Sequence, residues 1–533
     1  MNSPSATRLR SEAPIDDVAD SVYYQALKAH DARFDGHFFV GVSSTHIYCR
    51  PVCRVKLPKF ENCRFFEHAA LAESFGYRPC LRCRPELAPG SLPWTTLDAS
   101  RTLALQAARW LDEPQAWQTN GDTKPSIRQL AAHLGVSDRH VRRLFEAQFG
   151  VSPLQYLQTR RLLTAKQLLT DTDMPIAQVA LSSGFGSVRR FSAAFLEHYR
   201  LNPTGLRRAA GTTVKVDAAS FCTVKLSYRP PYDSRWMLAF FQKRQITATE
   251  FVAIEANKSS AGWTLSLESG GKQHHGWIIV EFLTTQPAVL LQVSDSLRDV
   301  LPQVIRQVRA LLDLDADPLA INAVLGNSFL SFDGAGDLGG LRVPGCLNGF
   351  ELAVRAILGQ QVTVAAGRTF TQRVVDAFGS PIETPFSLLT RLFPTPEALA
   401  QASGEDLGRL GIVKQRQAAI VALARAVADK QLHLHPSADI DATMAALRAL
   451  PGVGDWTAQY IAMRALRWPD AFVAGDVALH KAMGLQHLNP PLSPTKTAAA
   501  AVAASQVWRP WRSYAVMRAW TSLSSSQNLL QIT

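Results

Sequence analysis

The sequence predicts a multidomain protein, mainly α with α+β parts, and three observations predict it. Two close cysteine pairs lie near the N-terminus, Cys49 with Cys53 and Cys80 with Cys83. A near-repeat with the spacing of a double helix-turn-helix follows between residues 130 and 203. Beyond it, a stretch with strand periodicity gives way to helical spacing. At 533 residues the chain should divide into roughly three to five domains. Hydrophobic residues make up 47%, enough for packed cores, and no run approaches a membrane span. The net charge of +12 points to a polyanionic partner, most simply nucleic acid. The opening "MNSPSATRLRSEAPIDD" has no apolar stretch that could be a signal peptide, so a cytoplasmic location is expected.

The cysteines come first along the chain. Their spacings are C-x3-C and C-x2-C, with Cys63 between the pairs and Cys222 and Cys346 far downstream. Disulfides are disfavoured by the odd count and by a chain too large to need staples. A tetrahedral zinc site with four thiolates fits better, because each close pair lets one knuckle supply two ligands. The plain alternative is a set of small buried cysteines. Breaks at "PELAPGSLP" (85–93), "PQAWQTNGDTKP" (114–125) and "AAGTTVKVDAAS" (209–220) separate the pieces. The expected domains are 1–92 (small four-cysteine zinc domain), 93–210 (double helix-turn-helix), 222–300 (antiparallel-sheet α+β) and 301–533 (helical).

In the second domain "LAAHLGVSDRHVRRLFEAQFGVSP" (130–153) is echoed by "VALSSGFGSVRRFSAAFLEHYRLNP" (179–203). Each copy reads helix, short turn with Gly135 or Gly184, then helix. In the first, Val141, Leu144 and Phe145 share one face, leaving Arg139, His140, Arg142 and Arg143 mostly outside. In the second, Val188, Phe191 and Phe195 are expected inward, with Ser187, Arg189 and Arg190 available. A helix entering the major groove needs such arginines for guanine edges and phosphates. Residues 93–210 hold 15 Lys+Arg against 9 Asp+Glu, consistent with that role. The alternative is a pair of solvated helical hairpins.

With "GFGSVRRFSAAF" and its Ser/Asn-Pro endings, this repeat resembles the double helix-turn-helix of AraC-type regulators. Preceded by "YCRPVC" and "YRPCLRC", it is similar to the N-terminal half of Ada-type adaptive-response proteins over roughly residues 20–210. The resemblance implies one zinc ion on Cys49, Cys53, Cys80 and Cys83. It also implies that Cys49 takes a methyl group from DNA methylphosphotriesters. Zinc keeps thiolates deprotonated at neutral pH, and four of them leave the site net negative, so one sulfur stays electron-rich enough to attack carbon in line. Cys63 matches no ligand and is expected to be a small packed residue. The family's second methyltransferase domain, with its Pro-Cys-His-Arg motif, is absent.

In the third domain "WTLSLES" (263–269) alternates apolar and polar, and "GWIIVEF" (276–282) is β-rich, so antiparallel strands are expected. Helical spacing dominates from about residue 296, as in Phe350, Val354 and Ile357. "LPGVGDWTAQYIAMRAL" (450–466) sets a Gly-x-Gly turn, Gly452 and Gly454, between two helical segments. Such a hairpin lets bare backbone amides approach a phosphate. Further on comes Asp476, in "FVAGDVALHK". Alone, the glycines read as an ordinary tight turn and the aspartate as a helix cap. In this order, with "AILGQQVTV" (356–364) upstream, they resemble the helix-hairpin-helix glycosylases. "LSYRPPYDSRWMLAFF", "RVPGCLNGFELAVRAILGQQV" and "WRPWRSYAVMRAW" narrow the resemblance to the AlkA-type alkylbase glycosylases, over about residues 224–525.

That resemblance implies Asp476 as the catalytic aspartate. It implies Phe240, Trp456, Tyr460 and Trp520 as pocket aromatics, and Gln361, where the family carries leucine, as the wedge filling the gap of a flipped base. N3- or N7-alkylation makes a purine cationic and a good leaving group, and electron-rich faces attract it. The base must first leave the duplex. Asp476 would then stabilise an oxocarbenium-like sugar or orient water. Trp456 stands where strand-cutting relatives carry lysine, so base excision without lyase activity is expected. The expected partners are double-stranded DNA, at alkylated sites and promoters, and RNA polymerase, with no membrane and a monomeric chain. Two other readings stay open: a transcription factor whose glycosylase half only grips DNA, and an enzyme whose front half merely targets DNA.

Overall fold

Polar caps and glycine turns set the ends of many elements. The computed structural model describes residues 17–89, 99–113, 127–210, 221–255, 259–326, 328–329, 338–487 and 493–529. The expected boundary at 92/93 and the break at 114–125 lie outside these residues. Among the described residues no helix is long and apolar enough to cross a membrane.

The N-terminal unit has helix α1 (Asp17–Lys28), strands β1 (Phe39–Val42), β2 (Ile47–Cys49) and β3 (Cys63–Phe66), helix α2 (Ala69–Ser74) and strand β4 (Arg78–Pro79). The sheet order is β3-β1-β2-β4, with β2 and β4 parallel. That one parallel pair brings the ends of β2 and β4 together, and with them Cys49 and Cys80.

Helices α3 (Ala99–Asp112), α4 (Ile127–Leu134), α5 (Asp138–Phe149), α6 (Pro153–Asp171), α7 (Ile176–Ser182), α8 (Val188–Tyr199) and α9 (Pro203–Ala210) follow. The repeat is visible in the caps. Ser137 accepts from the N–H of His140 to start α5, and Ser187 accepts from that of Arg190 to start α8. Gly150 ends α5 at φ +67°, and Arg200 takes the same left-handed position after α8 at φ +54°. The inward seams are Val141, Phe145 and Phe149, then Phe191, Phe195 and Tyr199, while Leu144 is half-buried. Val188, expected inward, is 41% exposed. It is the first helical residue after the Ser187 cap, and it corresponds to Asp138 of the first copy, a turn ahead of the seam.

Strands β5 (Phe221–Ser227), β6 (Glu250–Ile254), β7 (Ser259–Ser269), β8 (Lys272–Phe282) and β9 (Ala288–Ser294) form one antiparallel sheet in the order β5-β9-β8-β7-β6. The two segments read as strands lie in β7 and β8. Gly270 and Gly271, at φ +59° and +75°, make the two-residue turn between them. Helix α10 (Ser234–Arg244) and helix α11 (Leu301–Leu311) pack on this sheet, and its core continues into Leu162 and Leu168 of α6 and Phe185 of the second helix-turn-helix copy.

The remainder is helical: α12 (Pro318–Leu325), α13 (Gly349–Leu358), α14 (Val364–Phe378), α15 (Pro396–Ala400), α16 (Gly404–Arg409), α17 (Lys414–Ala428), α18 (Ile440–Ala449), α19 (Asp455–Arg464), α20 (Val477–Ala482), α21 (Pro494–Ala504) and α22 (Arg512–Leu529). Phe350, Val354 and Ile357 of α13 are buried with Leu423, Ile461 and Val516 in one core.

Buried polar groups join the units. Glu73 of α2 accepts from Tyr48 (3.0 Å) and from Thr159 of α6 (2.8 Å). Glu86 pairs with the buried Lys166 of α6. Arg229 is 0% exposed, so each of its N–H groups needs a partner inside the protein. It donates to the Asp35 carbonyl (2.7 Å) on the cysteine-rich unit and to the Asp315 carbonyl (2.8 Å) beyond α11.

Candidate functional site

Two sites assemble from residues distant in sequence. In the first, the sulfurs of Cys49, Cys53, Cys80 and Cys83 all lie within 4.8 Å of one another. Thiolates at about 2.3 Å from a tetrahedral zinc sit roughly 3.8 Å apart, so this donor set fits the ion. The four cysteines form a single structural zinc site. The backbone N–H of Arg50 donates to Cys83 Sγ (3.4 Å), and the buried Arg50 guanidinium is clamped by Asp35 (2.8 Å) and the Cys83 carbonyl (3.1 Å). Cys63 lies outside the cluster, its thiol donating to the Lys59 carbonyl (3.3 Å), and burial pushes it up to about 11. Cys49 itself is only 4% exposed.

The outer face of α5 carries Arg139, Arg142 and Arg143, all exposed, and that of α8 carries Arg189 and Arg190, also exposed. His140 accepts a contact from Arg143 (3.2 Å).

The second site lies in the C-terminal half. Gly452 takes φ +74° in the turn between α18 and α19. A Cβ on Gly454 would meet no atom within 4 Å. No side chain caps α19 at Gly454, so its first N–H groups stay available. Asp476 caps α20, accepting from the Leu479 N–H (2.7 Å) at Oδ1. It is a helix cap, then, but more than that. Trp520 Nε1 donates to Oδ1 (3.0 Å) and Trp456 Nε1 donates to Oδ2 (3.0 Å). Two indoles thus grip the carboxylate. Trp456 stacks on Tyr460 with ring centres 5.2 Å apart and planes 9° apart, and Tyr460 lies 6.4 Å from Trp520. Phe240 of α10 joins this wall through Arg464, whose guanidinium lies 5.0 Å from its ring and 5.3 Å from that of Tyr460.

Gln361 is exposed in the turn between α13 and α14, at φ +53°. A left-handed conformation at a non-glycine residue costs roughly 1–2 kcal/mol, so neighbours must hold it. Gln360 does so: its amide donates to the Gly452 carbonyl (2.9 Å) and to Thr457 (3.0 Å), while Arg416 donates to the Gln360 carbonyl (2.5 Å). These bonds tie the turn of Gln361 to the glycine hairpin. Sequence reasoning named Gln361 and missed Gln360, Arg416, Arg464 and Arg244. The doubled glutamine in "AILGQQVTV" was the available signal for the first.

Four family models match in order along the chain: the metal binding domain of Ada over residues 22–86, a helix-turn-helix domain over 130–209, the AlkA N-terminal domain over 223–348, and the HhH-GPD superfamily of base excision DNA repair proteins over 354–508. A Mycobacterium tuberculosis relative named "Probable bifunctional transcriptional activator/DNA repair enzyme AlkA" is 37% identical over 95% of this chain and 97% of its own. Escherichia coli DNA-3-methyladenine glycosylase 2 is 32% identical over 55% of this chain and 95% of its own. The Escherichia coli bifunctional transcriptional activator/DNA repair enzyme Ada is 30% identical over 32% of this chain and 43% of its own.

Proposed function

The chain belongs to the family of bifunctional AlkA-type transcriptional activators and DNA repair enzymes, a DNA glycosylase joined to a zinc-binding helix-turn-helix regulator, and on that premise we propose how its residues divide the work. The glycosylase half hydrolyses the N-glycosidic bond of alkylated purines of the 3-methyladenine and 7-methylguanine type. One observation carries this reading: the Asp476 carboxylate is held by two indole N–H groups, Trp456 and Trp520, beside a stacked aromatic wall.

Binding begins at the hairpin, where the open space at Gly454 and the free N–H groups of α19 suit a DNA phosphate. The target base leaves the stack and Gln361 enters the gap, its turn braced by Gln360. The base lies against Phe240, Trp456, Tyr460 and Trp520, whose faces favour a cationic purine. Its glycosidic bond breaks with the electron pair leaving on the base. The developing positive charge on the sugar meets Asp476, which also orients the water that adds to the anomeric carbon. Two indole donors hold the carboxylate in place, so little reorganisation is needed at that moment.

In the regulator half, Cys49 is the methyl acceptor, with Cys53, Cys80 and Cys83 as its fellow ligands. Bound zinc keeps these sulfurs as thiolates at neutral pH. The Cys49 sulfur forms a bond to the methyl carbon of a phosphotriester as the carbon–oxygen bond breaks, leaving an ordinary phosphodiester. Arg139, Arg142, Arg143, Arg189 and Arg190 face promoter DNA, with RNA polymerase as the further partner of a monomeric, cytoplasmic chain.

The test uses methylated duplex DNA. Free alkylated bases should appear while the strands stay intact and break only after alkali or heat. Trapping of a protein–DNA adduct by borohydride would contradict the assignment of Trp456 and point to a Schiff-base lysine such as Lys481.

A further inference from the structure

The aromatic wall is backed by more positive charge than its buried carboxylates balance. Arg464 gives N–H groups to the carbonyls of Pro344 (2.9 Å) and Gly345 (3.0 Å), and another to the Tyr460 hydroxyl (2.5 Å). Arg244 of α10 lies 3.7 Å over the Phe240 ring and donates to the Phe240 carbonyl (3.3 Å), its charge close enough to act on Tyr460. Arg355 of α13 is paired with Glu250 of β6 and with Glu351 (3.3 Å). Three guanidiniums thus face two carboxylates. Burial pushes Glu351 up to about 7, against the pull of Arg355, so even its charge is incomplete at neutral pH. The hydrogen bond to the Tyr460 hydroxyl comes from the Arg464 guanidinium, a donor that cannot accept. Among the described residues, no hydrogen bond takes the phenol's own proton.

We propose that Tyr460 works in this pocket as a phenolate, its proton released to solvent, and supplies the negative group that a positively charged alkylated base meets on leaving the duplex. The proposal deepens the glycosylase reading above and rests on it. Burial opposes the ionisation, and Arg464, Arg244 and Arg355 outweigh it, holding the phenol below the usual tyrosine range. The Trp456 and Trp520 indoles, which lie against the phenol ring, donate their N–H groups to the Asp476 carboxylate. A cationic purine stacked on Tyr460 would then feel a full opposite charge rather than a ring quadrupole alone. Arg464 and Arg244 are positioning residues in this scheme, acting through Tyr460.

Two readouts on the full-length, zinc-loaded protein decide it. The first is a near-ultraviolet pH titration of wild type, Tyr460→Phe and Arg244→Gln without DNA. Wild type should show one tyrosine ionising well before the others, absent from Tyr460→Phe and moved toward ordinary values in Arg244→Gln. The second is the pH profile of 3-methyladenine release by the same three proteins. Wild-type kcat/KM should rise with the early titration, through a falling KM. Tyr460→Phe should lack the rise and lie on the order of tenfold lower above it. An early titration that persists in Tyr460→Phe, or none in wild type, overturns the proposal. A wild type that titrates as expected but releases no base would instead overturn the glycosylase reading and leave the phenolate standing.

Discussion

Replacing Asp476 by asparagine separates chemistry from architecture, because the structure sets what each loses. The carboxylate accepts three hydrogen bonds, from Leu479 and Trp520 at Oδ1 and from Trp456 at Oδ2. An asparagine can keep its oxygen at the Oδ1 position and preserve the helix cap. Its NH2 then faces the Trp456 N–H, donor against donor, at a spacing now 3.0 Å. Losing one charge-assisted bond costs about 1.5–3 kcal/mol of stability. Losing the charge partner of the transition state costs roughly 3–4 kcal/mol, a hundredfold to a thousandfold in rate. A Trp456→Phe variant removes the same bond, since the ring can still stack on Tyr460 while the donor is gone; a loss of roughly ten- to a hundredfold is expected. Single-turnover release of 3-methyladenine measures the rate, with thermal melting and DNA binding as controls. Release by a well-folded Asp476→Asn protein within about threefold of wild type would refute the catalytic assignment.

Chelating the zinc should unfold the cysteine-rich unit, since structural zinc contributes about 10–16 kcal/mol. Because Glu86 and Asp35 of that unit bond to Lys166 and Arg229, melting of the whole chain should shift downward, and an unchanged melting curve would show that the units are independent. Burial pushes Glu73 up to about 7, above about 4.3 for a free glutamate, although Thr159, Tyr48 and Tyr199 pull it down. Its contribution is complete below the unfolded value and is lost as pH rises through about 7, on the order of 3 kcal/mol in all. Melting temperature relative to a Glu73→Gln variant should fall across that window, and parallel curves would refute the shift.

What the sequence revealed was local. The zinc ligands come as two knuckles, each within a few residues, so C-x3-C and C-x2-C betray the site before any folding. Asp476 was singled out through the family resemblance, where the hairpin glycines precede it; by itself it read as the helix cap the structure also shows. Val188 misled because helical periodicity does not mark where a helix begins, and the Ser187 cap puts it ahead of the seam. Arg464 was invisible for another reason. Its partners, the Pro344 and Gly345 carbonyls, are backbone atoms some 120 residues away, and no side-chain pattern encodes them. Arg229 and Glu73 are hidden likewise, each satisfied across unit boundaries. Buried polar residues that join units have no period to read.

The central claim, that one chain excises alkylated bases and takes a methyl group on Cys49, is tested most directly in a single sample. The protein is incubated with methylated DNA, and the released bases are counted while the Cys49 peptide is weighed by mass spectrometry. Base release should continue well beyond one per protein, while the Cys49 peptide gains a single methyl group and no more. A methyl group found instead on the peptide of Cys80 and Cys83, or base release that stops at one per protein, would contradict it.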